Sequence, residues 1–244
     1  MIGRRPAAWH VATVAEVRPE TATARRIVLD VPTWPGNDAG AHVDIRLSAP
    51  DGYQATRSYS LASSGGEHRI VLAVDEVPTG EVSPYLVHDL QVGDRVEVHG
   101  PLGAFFVWRP GPEPRPVQLI AGGSGVVPLY AMAAARAVST DASPFRLLYS
   151  ARSPDDVFFR EELDALGPDG PRIDYVYTRR TPPDWPVPPG RITPAVLAER
   201  TFAAQERPAV FVCGPTPFVE AIAAALVDAG HDPADVRTER FGGA

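Results

Sequence analysis

The chain has 244 residues, 44% hydrophobic and 22% charged, with a formal net charge of −7. That length suits two compact domains better than one, and the composition excludes long disordered stretches. The acidic balance argues against nucleic acid or anionic lipid as principal partners.

The single cysteine, Cys213, excludes an intramolecular disulfide and an iron–sulfur cluster held by cysteines alone. The six histidines lack the spacing of a metal site, so no metal is expected. No run approaches the about 20 apolar residues of a membrane helix. Arg4 and Arg5 are not followed by an apolar signal core. A cytoplasmic protein is the expectation.

From residue 9 to about 108 the pattern is short and β-like: WHVATVAEVR, ARRIVLDV, HVDIRLSA, TRSYSLAS, HRIVLAVDE and DRVEVHG. Six runs rich in Val, Ile and Leu, bounded by Gly, Pro, Asp and Asn, predict a six-stranded antiparallel β-barrel. One capping helix interrupts them in PTGEVSPYLVHDL, with Ser83 as the expected N-cap and Pro84 at the first helical position. The prolines of RPGPEPRP (109 to 116) then break regular structure. They place a domain boundary there, with one domain at 1–112 and a second at 113–244.

Beyond the boundary the pattern alternates. Strands are predicted at 117–121, 145–150, 173–178 and 209–213, with helices near 128–138, 159–166, 194–200 and 216–229. A final run, VRTERF, adds a fifth strand. This is the pattern of an α/β domain with a five-stranded parallel sheet.

The turn LIAGGSGVVPLYAMAAA ends a buried strand and opens an alanine-rich helix, so bare amides of Gly123, Ser124 and Gly125 converge on a helix N-terminus. Such a turn favours an anion, and a dinucleotide pyrophosphate is the usual guest. Tight packing explains glycines of this kind equally well. A second turn of the same form, Cys213-Gly214-Pro215, follows the fourth strand. There Cys213 is either a small buried hydrophobe or a neighbour of a reacting ring.

Six motifs in fixed order make the chain resemble the ferredoxin–NADP reductase superfamily, flavoproteins with a flavin-binding barrel followed by a pyridine-nucleotide domain. They are Arg57-Ser58-Tyr59-Ser60, Gly80-Glu81-Val82-Ser83, GPLGAFF (100 to 106), GGSGVVPL (122 to 129), CGPTPF (213 to 218) and ERFG (239 to 242). The resemblance implies FAD, with Arg57 on its pyrophosphate, Tyr59 against the flavin and Ser60 near the N5 edge. Ser58, the alternate residue, would point away. Gly80, Glu81, Val82 and Ser83 would open a helix onto the pyrophosphate, Val74 would offer backbone contacts, and Phe241 would cover the flavin face. Tyr59, Ser60, Cys213 and Phe241 are then the residues beside the reacting atoms.

The same resemblance implies NAD(P)H as the hydride donor. Ser150, Arg152 and Arg179 follow the second and third strands of the nucleotide domain, where an arginine suits a 2′-phosphate, and this tilts the expectation to NADP(H) over NAD(H). Many relatives with such a tail continue into a plant-type [2Fe-2S] domain. This chain has one cysteine and stops at Ala244, so electrons are expected to go to a separate acceptor protein, a ferredoxin or another metalloprotein. A ferric-siderophore or free-flavin reductase, and a non-catalytic flavin-binding regulatory module, are the alternatives.

Overall fold

The computed structural model describes residues 7–111, 113–167 and 170–242, and every structural statement below concerns these. The chain divides into two compact units, Met1–Trp108 and Arg109–Ala244, parting where the first proline-rich cluster begins.

The first unit holds β1 (Ala8–Pro19), β2 (Ala24–Asp30), β3 (His42–Ser48), β4 (Gln54–Ser60), β5 (Arg69–Asp75) and β6 (Arg95–Leu102). They form one antiparallel sheet in the order β4-β3-β6-β1-β2-β5. A bridge between Leu61 and Leu72 joins the two edges, and the Ala62 amide donates to the Val71 carbonyl at 2.8 Å. The sheet therefore curls on itself as the predicted six-stranded barrel. Its strands alternate because one face is buried. Ala12 and Val14, Ile27 and Leu29, Val43 and Ile45, Ile70 and Leu72, and Val96 and Val98 meet in one apolar cluster around Trp34. Each valine, leucine or isoleucine among them contributes about 1.5–3 kcal/mol on burial.

The interrupting helix is capped differently from the expectation. Helical backbone begins at Ser83 and passes into a π-helical turn over Tyr85–Asp89, closed by the Leu90 amide on the Tyr85 carbonyl at 3.0 Å. Ser83 is not its N-cap. The Ser83 hydroxyl instead accepts from the Val77 amide at 3.0 Å, tying the helix start back to the turn before it. Val82, Leu86 and Leu90 anchor the segment in the barrel core.

The second unit is a five-stranded parallel sheet of β7 (Val117–Gly122), β8 (Phe145–Ala151), β9 (Arg172–Tyr177), β10 (Ala209–Pro215) and β11 (Val236–Phe241). The order is β11-β10-β7-β8-β9. Helices α1 (Val126–Ala137), α2 (Arg160–Ala165), α3 (Pro194–Arg200) and α4 (Thr216–Asp228) connect the strands. Every residue of central β7 is buried, as a strand covered on both faces requires. Ile120, Leu148, Val210 and Val212 pack against Leu197 of α3 and Val219, Ile222 and Leu226 of α4. From β7 the chain runs outward through β8 and β9, then returns to β10 on the other side of β7. The strand order therefore reverses between β7 and β10, and their carboxyl ends flank a topological switch point.

Candidate functional site

In the first unit, β4 presents its residues alternately to two faces. Register pairs Arg57 with Ile45 and Tyr59 with Val43, the core-facing residues of β3. Tyr59 is half-buried against that core. Burial pushes its hydroxyl up to about 12 against the opposing charge of Arg57, so it stays a protonated donor. Ser58 pairs with Asp44 and Ser60 with His42, placing both serines on the opposite side of the strand by register.

Ser58 is not an idle position there. Its hydroxyl donates to Asp44 Oδ1 at 2.6 Å, and the other Asp44 oxygen lies 3.4 Å from His99 Nδ1. Ser60 is buried. His42, opposite it, was not singled out in the sequence. Its Nδ1 is buried with no hydrogen-bond partner among the described residues. Burial lowers its pKa, and the charge of Asp44 offsets this in part. Only the pairing of strands 18 residues apart in the chain brings His42 to Ser60, so no local motif marks it.

Arg57 reaches the Gly80–Ser83 turn directly. Its Nη2 donates to Glu81 Oε2 at 2.8 Å and its Nη1 to the Thr56 carbonyl at 2.8 Å. The Tyr53 hydroxyl donates to Glu81 Oε1 at 2.8 Å. Arg57 and Glu81 side chains are 53% and 49% exposed, so solutes reach both. Gly80 closes the turn by donating to the Val77 carbonyl at 2.7 Å. Val74 is a core residue of β5, with its backbone in the ladder to Arg25. A half-exposed guanidinium beside a turn whose Glu81 is exposed fits an oxyanion ligand, and the protonated hydroxyl and ring of Tyr59 fit a planar heterocycle.

In the second unit the two glycine turns abut at the switch point. β7 ends at Gly122 beside β10, with Ala121 and Cys213 in register. Packing accounts for two of the glycines. A Cβ at Gly122 would lie 2.8 Å from the Phe218 ring, and one at Gly125 would lie 2.2 Å from the Cys213 carbonyl oxygen. Gly123 differs: its φ is +55° and a Cβ there would meet nothing within 4 Å. Its Cβ position is therefore open, and half-buried like Ser124 it leads a 3₁₀ turn into α1. This is the part of the turn that fits a phosphate at a helix N-terminus.

Gly214 sits against the first turn, where a Cβ would lie 3.0 Å from the Gly122 carbonyl oxygen. Pro215 ends β10 and pairs with half-buried Phe241, the last residue of β11. Cys213 is fully buried. Burial, then the charge of Glu239, pushes its thiol well up, so it is neither exposed nor ionised. Ser150 pairs with Gly122 at the end of β8. Beyond it Arg152 contacts Asp156 at 3.2 Å, and Arg180 pairs with Asp155. The exposed Arg179 guanidinium has no ion-pair partner among the described residues.

Comparison with known proteins finds the same two parts. A family model described as an oxidoreductase FAD-binding domain matches residues 13–107, and one described as an oxidoreductase NAD-binding domain matches residues 119–224. NADH-cytochrome b5 reductase 1 of Neosartorya fischeri is 32% identical over 208 residues, covering 82% of this chain and 66% of that protein. Phenoxybenzoate dioxygenase subunit beta of Ectopseudomonas oleovorans is 35% identical over 206 residues, covering 84% of this chain and 57% of that one. The chain thus spans about two thirds or less of these relatives' length. The flavohem-like FAD/NAD-binding domain of nitric oxide dioxygenase from Vibrio cholerae matches with a TM-score of 0.83 at 26% identity, over 96% of this chain and 99% of that domain.

Proposed function

Because the chain belongs to the ferredoxin–NADP reductase-like family of FAD- and NAD-binding oxidoreductases, we propose that it takes reducing equivalents from NAD(P)H and delivers them to a separate electron-acceptor protein. The observation that carries this reading is the 2.8 Å contact between Arg57 and Glu81, which brings two motifs 24 residues apart onto one spot. FAD bound there would accept a hydride from a nicotinamide and pass its electrons on singly or in pairs. The chain's own residues bind and orient. Arg57 forks onto the pyrophosphate, Tyr59 lies against the ring system, and Ser60 with His42 holds a proton at the end of β4. Phe241, the last residue of β11, is the aromatic that the family resemblance assigns to the flavin face.

Gly123, Ser124 and the start of α1 take the nucleotide's pyrophosphate, with Gly214 and Pro215 closing the crevice. NADPH is the preferred donor in this reading, with Arg179 as the cation available to a 2′-phosphate. Arg152 has Asp156 on it and contributes less. The named relatives are a cytochrome b5 reductase and a dioxygenase subunit, and the acceptor proposed here is a separate redox protein, a ferredoxin or another metalloprotein. The test is to reconstitute the purified protein with FAD and add NADH or NADPH without oxygen. Bleaching of the flavin band by at least one nucleotide is expected, and a protein that takes up no FAD refutes the proposal.

A further inference from the structure

The Arg57 guanidinium has a resident anion. Glu81 holds Nη2 at 2.8 Å, and Tyr53 fixes the same carboxylate from the other side at 2.8 Å. Glu81 raises the Tyr53 pKa first by that hydrogen bond and then by its charge, so the phenol remains a donor to it. With Nη1 on the Thr56 carbonyl, both terminal nitrogens of Arg57 already have acceptors within the chain. A carboxylate and a phosphate seek the same fork of donors on a guanidinium. They also repel one another when both sit within a few ångströms of it.

We infer that Glu81 is a specificity-determining residue: it competes with the ligand's pyrophosphate for Arg57 and so lowers the affinity for phosphate-bearing flavins relative to riboflavin. This rests on the proposed role of Arg57 at the flavin pyrophosphate. The pair is half-exposed, and such pairs are weak and solvent-screened, so a pyrophosphate displaces Glu81 rather than being shut out. The residue therefore tunes the affinity without abolishing it. It penalises each ligand in proportion to the negative charge brought to Arg57, and a flavin without phosphate escapes the penalty.

The full chain, stripped of flavin, is titrated with FAD and with riboflavin in four forms: wild type, Glu81→Gln, Arg57→Ala and the double variant. Glutamine keeps the size of the side chain and one acceptor oxygen for Tyr53, and replaces the charged oxygen that accepts from Arg57 with an NH2 donor. Glu81→Gln is expected to tighten FAD about 3- to 10-fold, the scale of an exposed ion pair plus one removed like charge. Riboflavin affinity stays unchanged. In the Arg57→Ala background the gain from Glu81→Gln shrinks, because the two residues act through one contact. If Arg57→Ala weakens FAD while Glu81→Gln leaves it unchanged or weaker, Arg57 keeps its role and the competition by Glu81 is refuted. If Arg57→Ala leaves FAD affinity intact, the flavin-site reading itself falls, and the inference with it.

Discussion

Gly125→Ala tests whether the first nucleotide turn owes its glycines to packing or to ligand. The added methyl carbon would lie 2.2 Å from the Cys213 carbonyl oxygen, 2.4 Å from its carbonyl carbon and 2.6 Å from the Gly214 nitrogen. Ordinary contact begins near 3.4 Å, so the turn must open by more than an ångström. The obstructing atoms are backbone, and β7 and β11 hold them on both sides of β10. No side chain can swing away. Overpacking a core costs about 1–3 kcal/mol, and this site belongs at the upper end. Gly123→Ala is the control, because its methyl meets nothing and it pays only for positive φ, about 1 kcal/mol.

Urea unfolding followed by far-ultraviolet circular dichroism is expected to show Gly125→Ala less stable than Gly123→Ala by about 2 kcal/mol. Opening the turn also shifts the start of α1, so KM for the nicotinamide nucleotide should rise at least about tenfold in Gly125→Ala. A Gly125→Ala protein as stable as Gly123→Ala would refute the packing account.

Cys213 should resist thiol reagents in the folded protein and react fully in denaturant, since it is buried and its pKa is raised; rapid native labelling would contradict this. Asp141 accepts from the Gly111 amide at 2.9 Å and the Ser143 amide at 2.7 Å. Burial pushes its pKa up, but hydrogen bonds from Ser143 and Gly111 and the charge of Arg136 leave it lowered overall. A carboxyl lowered by folding stabilises above its unfolded pKa, and that stability is lost as pH falls through the folded value. Asp141→Asn should therefore cost stability at neutral pH and flatten the acid limb of a melting-temperature profile, and a parallel profile would refute the assignment. Arg179→Ala should raise KM for NADPH several-fold more than for NADH, and equal effects would remove the reason to prefer NADPH. Ser58→Ala deletes the bond to Asp44 on the face away from Tyr59. About 1 kcal/mol of stability should go while FAD affinity holds, as fluorescence titration would show.

Strand and helix types were legible because burial writes a period into the sequence: two in the barrel, and largely apolar runs, broken by Gln118 and Arg146, in β7 and β8. The boundary expected at 112/113 lies inside the proline cluster, and the two compact units part at Trp108 and Arg109, where that cluster begins. Partners set by turns and by register were not legible. Ser83 carries every sign of an N-cap, yet its hydroxyl serves the Val77 amide, because the turn at Gly80 folds that amide back onto it. Ser58 looked neutral while strand β3 put Asp44 opposite it. Ser60 pairs by register with His42, a neighbour that its own motif does not name. Glu81 sat inside a recognised motif, but its contact with Arg57 depends on two segments meeting in space.

The strand order of the first unit has a consequence for synthesis. β6 lies between β3 and β1, yet it is the last of the six strands to leave the ribosome. Until Arg95–Leu102 emerges, the nascent chain holds two fragments, β3 with β4 and β1 with β2 and β5, which meet at the Leu61–Leu72 bridge but leave open the β1 and β3 edges that β6 pairs. Unpaired edges template pairing with other chains. Stalled or truncated products ending before Gly100 should therefore aggregate, while a few more residues let the two fragments join.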